Sequence, residues 1–288
     1  MGAALRQESA RDHRPTPSDI ARLNAISSRE AGIILGPDKA DFLSARLSRI
    51  VKSVTPEGYG AYCGLLEGAG GSDHVRTFLE AIATHTTSFF REKGQYEWLD
   101  STGFRELWDM GAGKARDLVI WSAACSTGQE LYTAMLQAKA SSKGDLASLR
   151  VKGVGTDLSQ SVVAGARRAV YDTTEISGIP LELRKTYLLS AKSGDGRHRI
   201  GPEIRALTDW RTANLTKRES LSGIEADVVF LRNVLIYFDE PTQVAVLRNV
   251  LSRLRPGGFL LTGHSETASA REIGLSVVRP AIYRKEKT

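Results

Sequence analysis

The first residues whose types and spacing suggest chemistry are Gly128 and Asp157. Gly128 closes the segment Ser126-Thr-Gly128, which follows the short apolar run Leu118-Val-Ile-Trp121 and precedes a helical stretch from Gln129 to Ala140. A glycine at that point lets a ligand approach the backbone closely, and the first turn of the following helix offers N–H groups without intrahelical partners. Glu130, in that first turn, carries a negative charge suited to a ligand ammonium. Asp157 closes the next strand candidate, Val151 to Thr156, 29 residues beyond Gly128, where an acid is placed to accept hydrogen bonds from both hydroxyls of a ribose. A third run, Asp227-Val-Val-Phe-Leu231, leads into Arg232-Asn233, with Tyr237 four residues further on. One glycine followed by one acid occurs in many α/β folds, so this pair alone does not single out a nucleoside. The absences are sharper. Gly-x-Gly-x-x-Gly, Gly-x-x-x-x-Gly-Lys-Ser/Thr and Gly-x-Ser-x-Gly are all missing, which disfavours a dinucleotide site, a P-loop and a hydrolase elbow. His264-Ser265 looks like a hydrolytic pair but has neither an acid nor an oxyanion motif with it. The two cysteines, Cys63 and Cys125, have no metal-ligand spacing, and Cys125 reads as a small packed residue.

These residues need a frame. Leu118–Trp121, Val151–Thr156, Asp227–Leu231 and Phe259–Leu261 read as buried strands, and helical stretches follow at Gln129–Ala140, around Val162–Ala166 and from Pro241. Val277-Val278 and Ile282-Tyr283 suggest a closing pair around Pro280. Strands alternating with helices predict an α/β fold, a mostly parallel sheet covered on both faces. Ligands in such sheets bind beyond the carboxyl ends of the strands, where Gly128, Asp157 and Arg232-Asn233 fall. Residues 183–212, with Gly194, Gly196, Gly201 and short alternating runs, predict a small β insertion. Upstream, Ser18 or Asp19 suggests a helix cap before Ile20, Leu23 and Ile26. Leu43, Leu47, Ile50, Val51 and Val54 recur at helical spacing, with Arg46, Arg49 and Lys52 largely on the other side. The expected organisation is a mobile tail over 1–17, a helical N-terminal domain over 18–83, and the α/β domain over 84–288.

The composition is that of a globular chain: 288 residues, 41% hydrophobic and 25% charged, with a net charge of +6. It excludes a disulfide mini-protein, a collagen-like fibre and a wholly disordered chain. Residues 1–80 hold ten basic and ten acidic side chains, whereas 178–218 hold nine basic and four acidic, so nearly all the excess sits in one stretch able to steer an acidic macromolecule. No secretory signal and no run of about 18 apolar residues is visible, and a cytoplasmic protein is the expectation.

Five segments in order carry a more specific signal: Thr84-His-Thr-Thr-Ser-Phe-Phe-Arg-Glu92, Trp121-Ser-Ala-Ala-Cys-Ser-Thr-Gly-Gln-Glu130, Gly155-Thr-Asp157, Leu231-Arg-Asn-Val-Leu-Ile-Tyr-Phe-Asp239 and Leu254-Arg-Pro-Gly-Gly-Phe-Leu-Leu-Thr-Gly-His-Ser-Glu266. Together, over about residues 20 to 285, the chain resembles the bacterial chemotaxis receptor methyltransferases of the CheR family. The resemblance implies a Rossmann-like S-adenosylmethionine-dependent methyltransferase domain with a small β subdomain, preceded by an all-helical domain. It implies a protein-glutamate O-methyltransferase that converts S-adenosylmethionine to S-adenosylhomocysteine and receptor glutamates to methyl esters, with no metal. Carried over by motif position, it places cofactor contacts at His85, Thr87, Arg91, Glu130, Asp157, Asn214, Leu215, Leu231, Arg232 and Asn233. Arg91 and Tyr237 fall closest to methyl transfer. His85 stands where Asn is usual, and Gln129 and Leu131 stand where Glu and Pro are usual. The implied partners are chemoreceptor cytoplasmic helices, docked on Arg46, Arg49 and Lys52, and a receptor C-terminal tail at the β insertion.

Two rival readings use the same residues differently. A methyltransferase for nucleic acid or a small molecule would exploit the basic insertion. No Asn-Pro-Pro-Tyr-type motif follows the third strand, however, and aromatic residues are not interleaved with the basic ones, so neither nucleic acid nor membrane insertion is expected. A non-catalytic S-adenosylmethionine-binding module of the same fold would accommodate the departures at His85 and Gln129.

Overall fold

The computed structural model describes residues 14–142, 144–191, 194–266 and 275–286, and the chain divides into two compact units. The first comprises residues 1–84 together with Tyr237–Asp239. It contains α1 (Pro17–Ala31), α2 (Ala40–Val54), α3 (Tyr59–Glu67) and α4 (Ser72–Ile82). Helix α1 starts at a capping box: the Thr16 hydroxyl accepts from the Asp19 N–H (3.2 Å), and the Asp19 carboxylate accepts from the Thr16 N–H (2.9 Å). The cap is therefore Thr16, and not Ser18 or Asp19, because a helix entered through Pro17 needs its cap one residue earlier. Most of the expected tail, residues 1–13, lies outside the described residues. Leu23, Ile26, Leu43, Leu47, Val51, Tyr62 and Phe78 are at most 1% exposed. Each such leucine stabilises the unit by roughly 1.5–3 kcal/mol. Arg46, Arg49 and Lys52 are exposed on α2. The Ile34 N–H donates to the Tyr237 carbonyl at 2.9 Å, which ties the Tyr237 segment into this unit.

The second unit, His85–Ile236 with Glu240–Thr288, opens with α5 (Lys93–Trp98), a wide π turn (Leu99–Gly103) and α6 (Phe104–Asp109). The chain then alternates β1 (Leu118–Ser122), α7 (Gln129–Ala140), β2 (Val151–Asp157) and α8 (Gln160–Arg168). After β3 (Val170–Asp172), α9 (Leu181–Tyr187), β4 (Leu188–Ser190), β5 (Arg197–Ile200) and α10 (Pro202–Arg205) come β6 (Thr208–Thr212) and β7 (Ala226–Leu231). Helix α11 (Glu240–Leu251), β8 (Leu254–Thr262), β9 (Leu275–Arg279) and β10 (Ile282–Lys285) follow. The main sheet has the order β6-β2-β1-β7-β8-β10-β9. Its first five strands are parallel, and β10 and β9 add an antiparallel edge. This is the expected α/β class. Strand β1 has β2 on one side and β7 on the other, so the strand order reverses there and a crevice opens beyond the carboxyl ends.

The β insertion is real but displaced from the expected 183–212. Its antiparallel sheet, β3-β5-β4, begins at Val170 and ends at Ile200. Thr208–Thr212 instead forms the edge strand of the main sheet, paired with β2. Only Trp210 of that strand is buried, so its alternating pattern looks like that of an exposed ribbon. Trp210 packs against Gly155, where an added Cβ would come within 2.3 Å of the ring.

Candidate functional site

The carboxyl ends of β1, β2, β7 and β8 are held by an unusual set of backbones. Phe90 (φ 55°), Glu92 (58°), Ser126 (48°) and Asn233 (57°) are all left-handed without being glycine. Such conformations persist only where the surroundings impose them, and they concentrate at ligand sites. The partners are visible for three of the four. The Ser126 N–H donates to Asp157 Oδ2 (2.8 Å) and the Ser126 hydroxyl to the His85 carbonyl (2.8 Å). The Phe90 N–H donates to Thr133 Oγ1 (3.2 Å). The Asn233 N–H donates to Glu266 Oε2 (2.7 Å).

Asp157 sits at the end of β2 and is 8% exposed. Its carboxylate accepts from Ser126 N–H and, at 3.0 Å, from Ser159 N–H. Burial pushes the carboxyl above the usual range, against the pull of those two donors and of His85. A carboxylate has about four acceptor sites; with the Leu158 N–H also pulling on it, capacity remains for a ligand hydroxyl. The Ala213 N–H donates to the Asp157 carbonyl at 2.9 Å and so brings Asn214 and Leu215 to the same sheet corner. Asn214 Oδ1 accepts from the N–H and hydroxyl of Thr216 (3.0 and 2.8 Å), and Leu215 is buried. Gly128 caps α7 with φ 97° and no side-chain cap, leaving the first N–H groups of the helix to a ligand. A Cβ there would approach Ala166, Trp210 and Tyr171 within 2.9–3.1 Å.

Glu130 and Arg232 form a buried pair. Arg232 Nε donates to Glu130 Oε2 (2.6 Å), and Ser122 Oγ donates to Glu130 Oε1 (2.7 Å). The guanidinium also donates to the Arg91 carbonyl (2.8 Å), Gln95 Oε1 (3.2 Å) and the Tyr96 oxygen (3.0 Å), and its side chain is 2% exposed. Burial opposes its charge, but Glu130, Tyr96 and Glu92 outweigh that cost and raise its pKa. Arg232 is thus turned into the protein, and any contact it makes with a cofactor has to come from its backbone. The same holds for Leu231, whose side chain is fully buried.

Arg91 lies between the left-handed Phe90 and Glu92, with its carbonyl held by Arg232. Its own guanidinium donates to the Thr86 carbonyl at 3.2 Å and is half-buried, as are His85 and Thr87. Tyr237 belongs by its contacts to the first unit. Cys125 is buried and its thiol is pushed well up by burial, as suits a packed residue.

Sequence reasoning gave Glu266 no role. Its buried carboxylate accepts from four backbone N–H groups: Asn233 (2.7 Å), Val234 (2.8 Å), Leu235 (2.8 Å) and Gly263 (2.9 Å). It shapes the turn after β7. The only sequence signal was an acid closing the last motif.

The donor set suits a cofactor with a ribose and an amino-acid end: a buried acceptor at Asp157, free helix N–H groups, and an acid at Glu130. Among the described residues no His/Cys/Asp/Glu cluster suited to a metal ion occurs, and no helix is long and apolar enough to cross a membrane. The family model described as "CheR methyltransferase, SAM binding domain" matches residues 85–281, which makes S-adenosylmethionine the cofactor. Chemotaxis protein methyltransferase 2 of Pseudomonas aeruginosa is 34% identical over 274 residues, covering 92% of this chain and 94% of that protein. Chemotaxis protein methyltransferase of Escherichia coli K12 is 30% identical over 267 residues, covering 92% and 90%. That of Borreliella burgdorferi is 29% identical over 271 residues, covering 94% and 95%. With a family match over most of the chain and full-length relatives at this identity, the chain belongs to the CheR methyltransferase family.

Proposed function

We propose that the chain transfers a methyl group to glutamate side chains of chemoreceptors, giving glutamyl methyl esters, with Asp157, the start of α7 and Glu130 holding the cofactor. The observation that carries this reading is the buried Asp157 carboxylate, with acceptor capacity to spare, beside the uncapped start of α7 at the switch point of a parallel sheet. When bound, S-adenosylmethionine supplies a methyl on a positively charged sulfur. A glutamate is already ionised near neutral pH, its reference pKa being about 4.3, so the protein has no proton to remove. Its task is positional, and aligning carboxylate, methyl and sulfur can supply up to ~7–11 kcal/mol. Arg91 presents a planar donor fork to a carboxylate, either of the cofactor or of the substrate, from a backbone fixed by Arg232 and Thr133. His85, Thr87, Asn214, Leu215, Leu231 and Asn233 are proposed as further cofactor contacts, and Tyr237 as a donor at the methyl.

The docking reading rests on α2. Arg46, Arg49 and Lys52 are exposed and form no ion pair among the described residues, as a surface awaiting acidic receptor helices would be. The β insertion offers outer strands β3 and β4, with Val170 and Leu189 exposed, to a receptor tail adding as a strand. The proposed setting is cytoplasmic, at receptor clusters.

The test is incubation of the protein with a receptor fragment and methyl-labelled cofactor. Base-labile labelled methanol is expected, and Arg91→Ala should abolish it while leaving the melting temperature intact. Cofactor binding without methanol would favour the non-catalytic module, and unchanged turnover in Arg91→Ala would remove Arg91 from the chemistry.

A further inference from the structure

The loop that precedes α7 is tied on its outer side to the β insertion by two separate contacts. Gln129, the first residue of α7, is 3% exposed. Its Oε1 accepts from the Thr127 hydroxyl (2.7 Å), and its Nε2 donates to Glu175 Oε1 (3.2 Å). The other oxygen of Glu175 accepts from the Asp172 N–H (2.9 Å), the last residue of β3. From the middle of β3, the Tyr171 hydroxyl donates to the Thr127 carbonyl (2.8 Å). Tyr171 is itself buried edge-on against Phe89, with ring centroids 4.9 Å apart. Thr127 is thus gripped through its side chain by Gln129 and through its carbonyl by Tyr171. Ser126 on one side is fixed by Asp157, and Gly128 on the other leaves no room for a side chain, since an added Cβ would come within 3.1 Å of the Tyr171 oxygen.

We propose that the base of the β insertion sets the conformation of the cofactor loop Ser126–Gly128, with Gln129, Glu175 and Tyr171 as positioning residues. The inference rests on the reading that the cofactor occupies the carboxyl end of β1 and β2. Of these residues, Gln129 carries the sharpest chemical requirement. In this chain it accepts from Thr127 and donates to the Glu175 carboxylate at once, which an amide does and the Glu usual at this position does not. Gln129→Glu keeps the shape and the acceptor but sets two carboxylate oxygens face to face where a hydrogen bond stood. Like charges at that separation repel, and Glu175 or the Thr127 loop has to shift. Glu175→Gln added to Gln129→Glu restores a donor–acceptor pair with the roles exchanged. The amide oxygen of residue 175 then keeps the Asp172 N–H, and its NH₂ group donates to the new carboxylate.

The experiment is a charge-exchange cycle on the full chain. S-adenosylhomocysteine affinity is read by calorimetry, and initial rates at varied cofactor concentration are read on a receptor fragment. Gln129→Glu should weaken binding about tenfold and raise the cofactor KM by a similar factor, with kcat at saturation within about twofold of the parent. The double variant should recover to within about threefold of the parent. Tyr171→Phe, which deletes only the hydroxyl donor to Thr127, should weaken binding roughly threefold to tenfold with kcat retained. A double variant no better than Gln129→Glu, parental affinity in both Gln129→Glu and Tyr171→Phe, or a loss confined to kcat would overturn the proposal. Asp157→Asn serves as the separate control on the pocket. If it weakens binding while the insertion variants do not, the coupling fails and the pocket stands. If neither it nor they affect binding, the cofactor lies elsewhere and both readings fall.

Discussion

Replacing Arg232 with Met should be among the most damaging single changes to this protein, because it strands a buried negative charge. The side chain is 2% exposed and supplies Nε to Glu130 at 2.6 Å and its terminal nitrogens to the Arg91 carbonyl, Gln95 and Tyr96. Without it, Glu130 retains, among the described residues, the Ser122 hydroxyl as its side-chain donor. Removing one partner of a buried pair costs roughly 3–5 kcal/mol, and the orphaned Arg91 carbonyl adds about 1 kcal/mol. Against a typical stability of about 5–15 kcal/mol, a loss of about 4–6 kcal/mol leaves the variant marginal. Glu130→Gln should cost less, about 2 kcal/mol, because Arg232 keeps its neutral acceptors and Glu92 at 3.8 Å. The double variant removes both charges, so it should be more stable than Arg232→Met alone, with a coupling of about 3 kcal/mol in a double-mutant cycle. Urea denaturation of the four proteins measures this directly. Additive losses, or a cost below about 1.5 kcal/mol for Arg232→Met, would refute the claim that Arg232 exists to hold Glu130.

Other expectations concern the same crevice and the α2 surface. Asp157→Asn should weaken S-adenosylhomocysteine binding by about 10- to 100-fold, the worth of a charge-assisted bond. Because burial raises the Asp157 carboxyl above its ordinary value, the acceptor form is lost on acidification earlier than for an ordinary aspartate, so parental affinity should fall as pH drops from neutral toward the usual carboxylate range. A flat calorimetric profile would count against it. The same shift has the opposite sign for stability: with no ligand, burying the charged form costs free energy, so Asp157 contributes a loss of stability as pH rises through its raised pKa, visible by comparing the parent with Asp157→Asn across pH. Glu266→Ala orphans four backbone donors and should cost about 3 kcal/mol in thermal or urea unfolding. A change under about 1 kcal/mol would mean that water replaces the carboxylate. Charge reversal at Arg46 and Arg49 should raise KM for a receptor fragment several-fold and weaken its salt dependence, leaving kcat near parental. An effect on kcat alone would argue against docking.

What the sequence discloses about this site depends on whether the partner is announced by a pattern. Asp157 and Gly128 were legible because each lies just beyond a strand candidate, and in a parallel sheet that position is itself the address of the ligand crevice. The core strands β1, β7 and β8 were legible because strands buried on both faces read as near-continuous apolar runs. Thr208–Thr212 was not, because an edge strand with one buried residue has no such run. Arg232 illustrates a different failure. Its place after β7 is plain in the sequence, but its partner Glu130 lies 102 residues away, and nothing in either neighbourhood says that the guanidinium points inward.

The least legible feature is the backbone, and it bears most directly on function. Ser126, Asn233, Phe90 and Glu92 are left-handed, yet none is a glycine that would advertise it. Each costs of order 1–3 kcal/mol and survives only because something over-determines it. For three of the four, the over-determining groups are the acids and hydroxyls whose roles are hardest to read: Asp157 for Ser126, Glu266 for Asn233, Thr133 for Phe90. In each case a side chain from one strand end or helix accepts a backbone N–H from another. The strain and its restraint therefore belong to one device: the acceptors that fix these turns converge on the crevice, and Asp157, which restrains Ser126, also retains acceptor sites for a ligand. A protein built this way should lose cofactor affinity before it loses its fold when any one of these acceptors is weakened conservatively. Thr133→Val, which removes the acceptor for the Phe90 N–H while keeping the side chain's shape, is the mildest form of that experiment. It should raise the cofactor KM with a stability loss of about 1–2 kcal/mol. An equal stability loss with an unchanged KM would mean that the left-handed backbone serves packing and not the pocket.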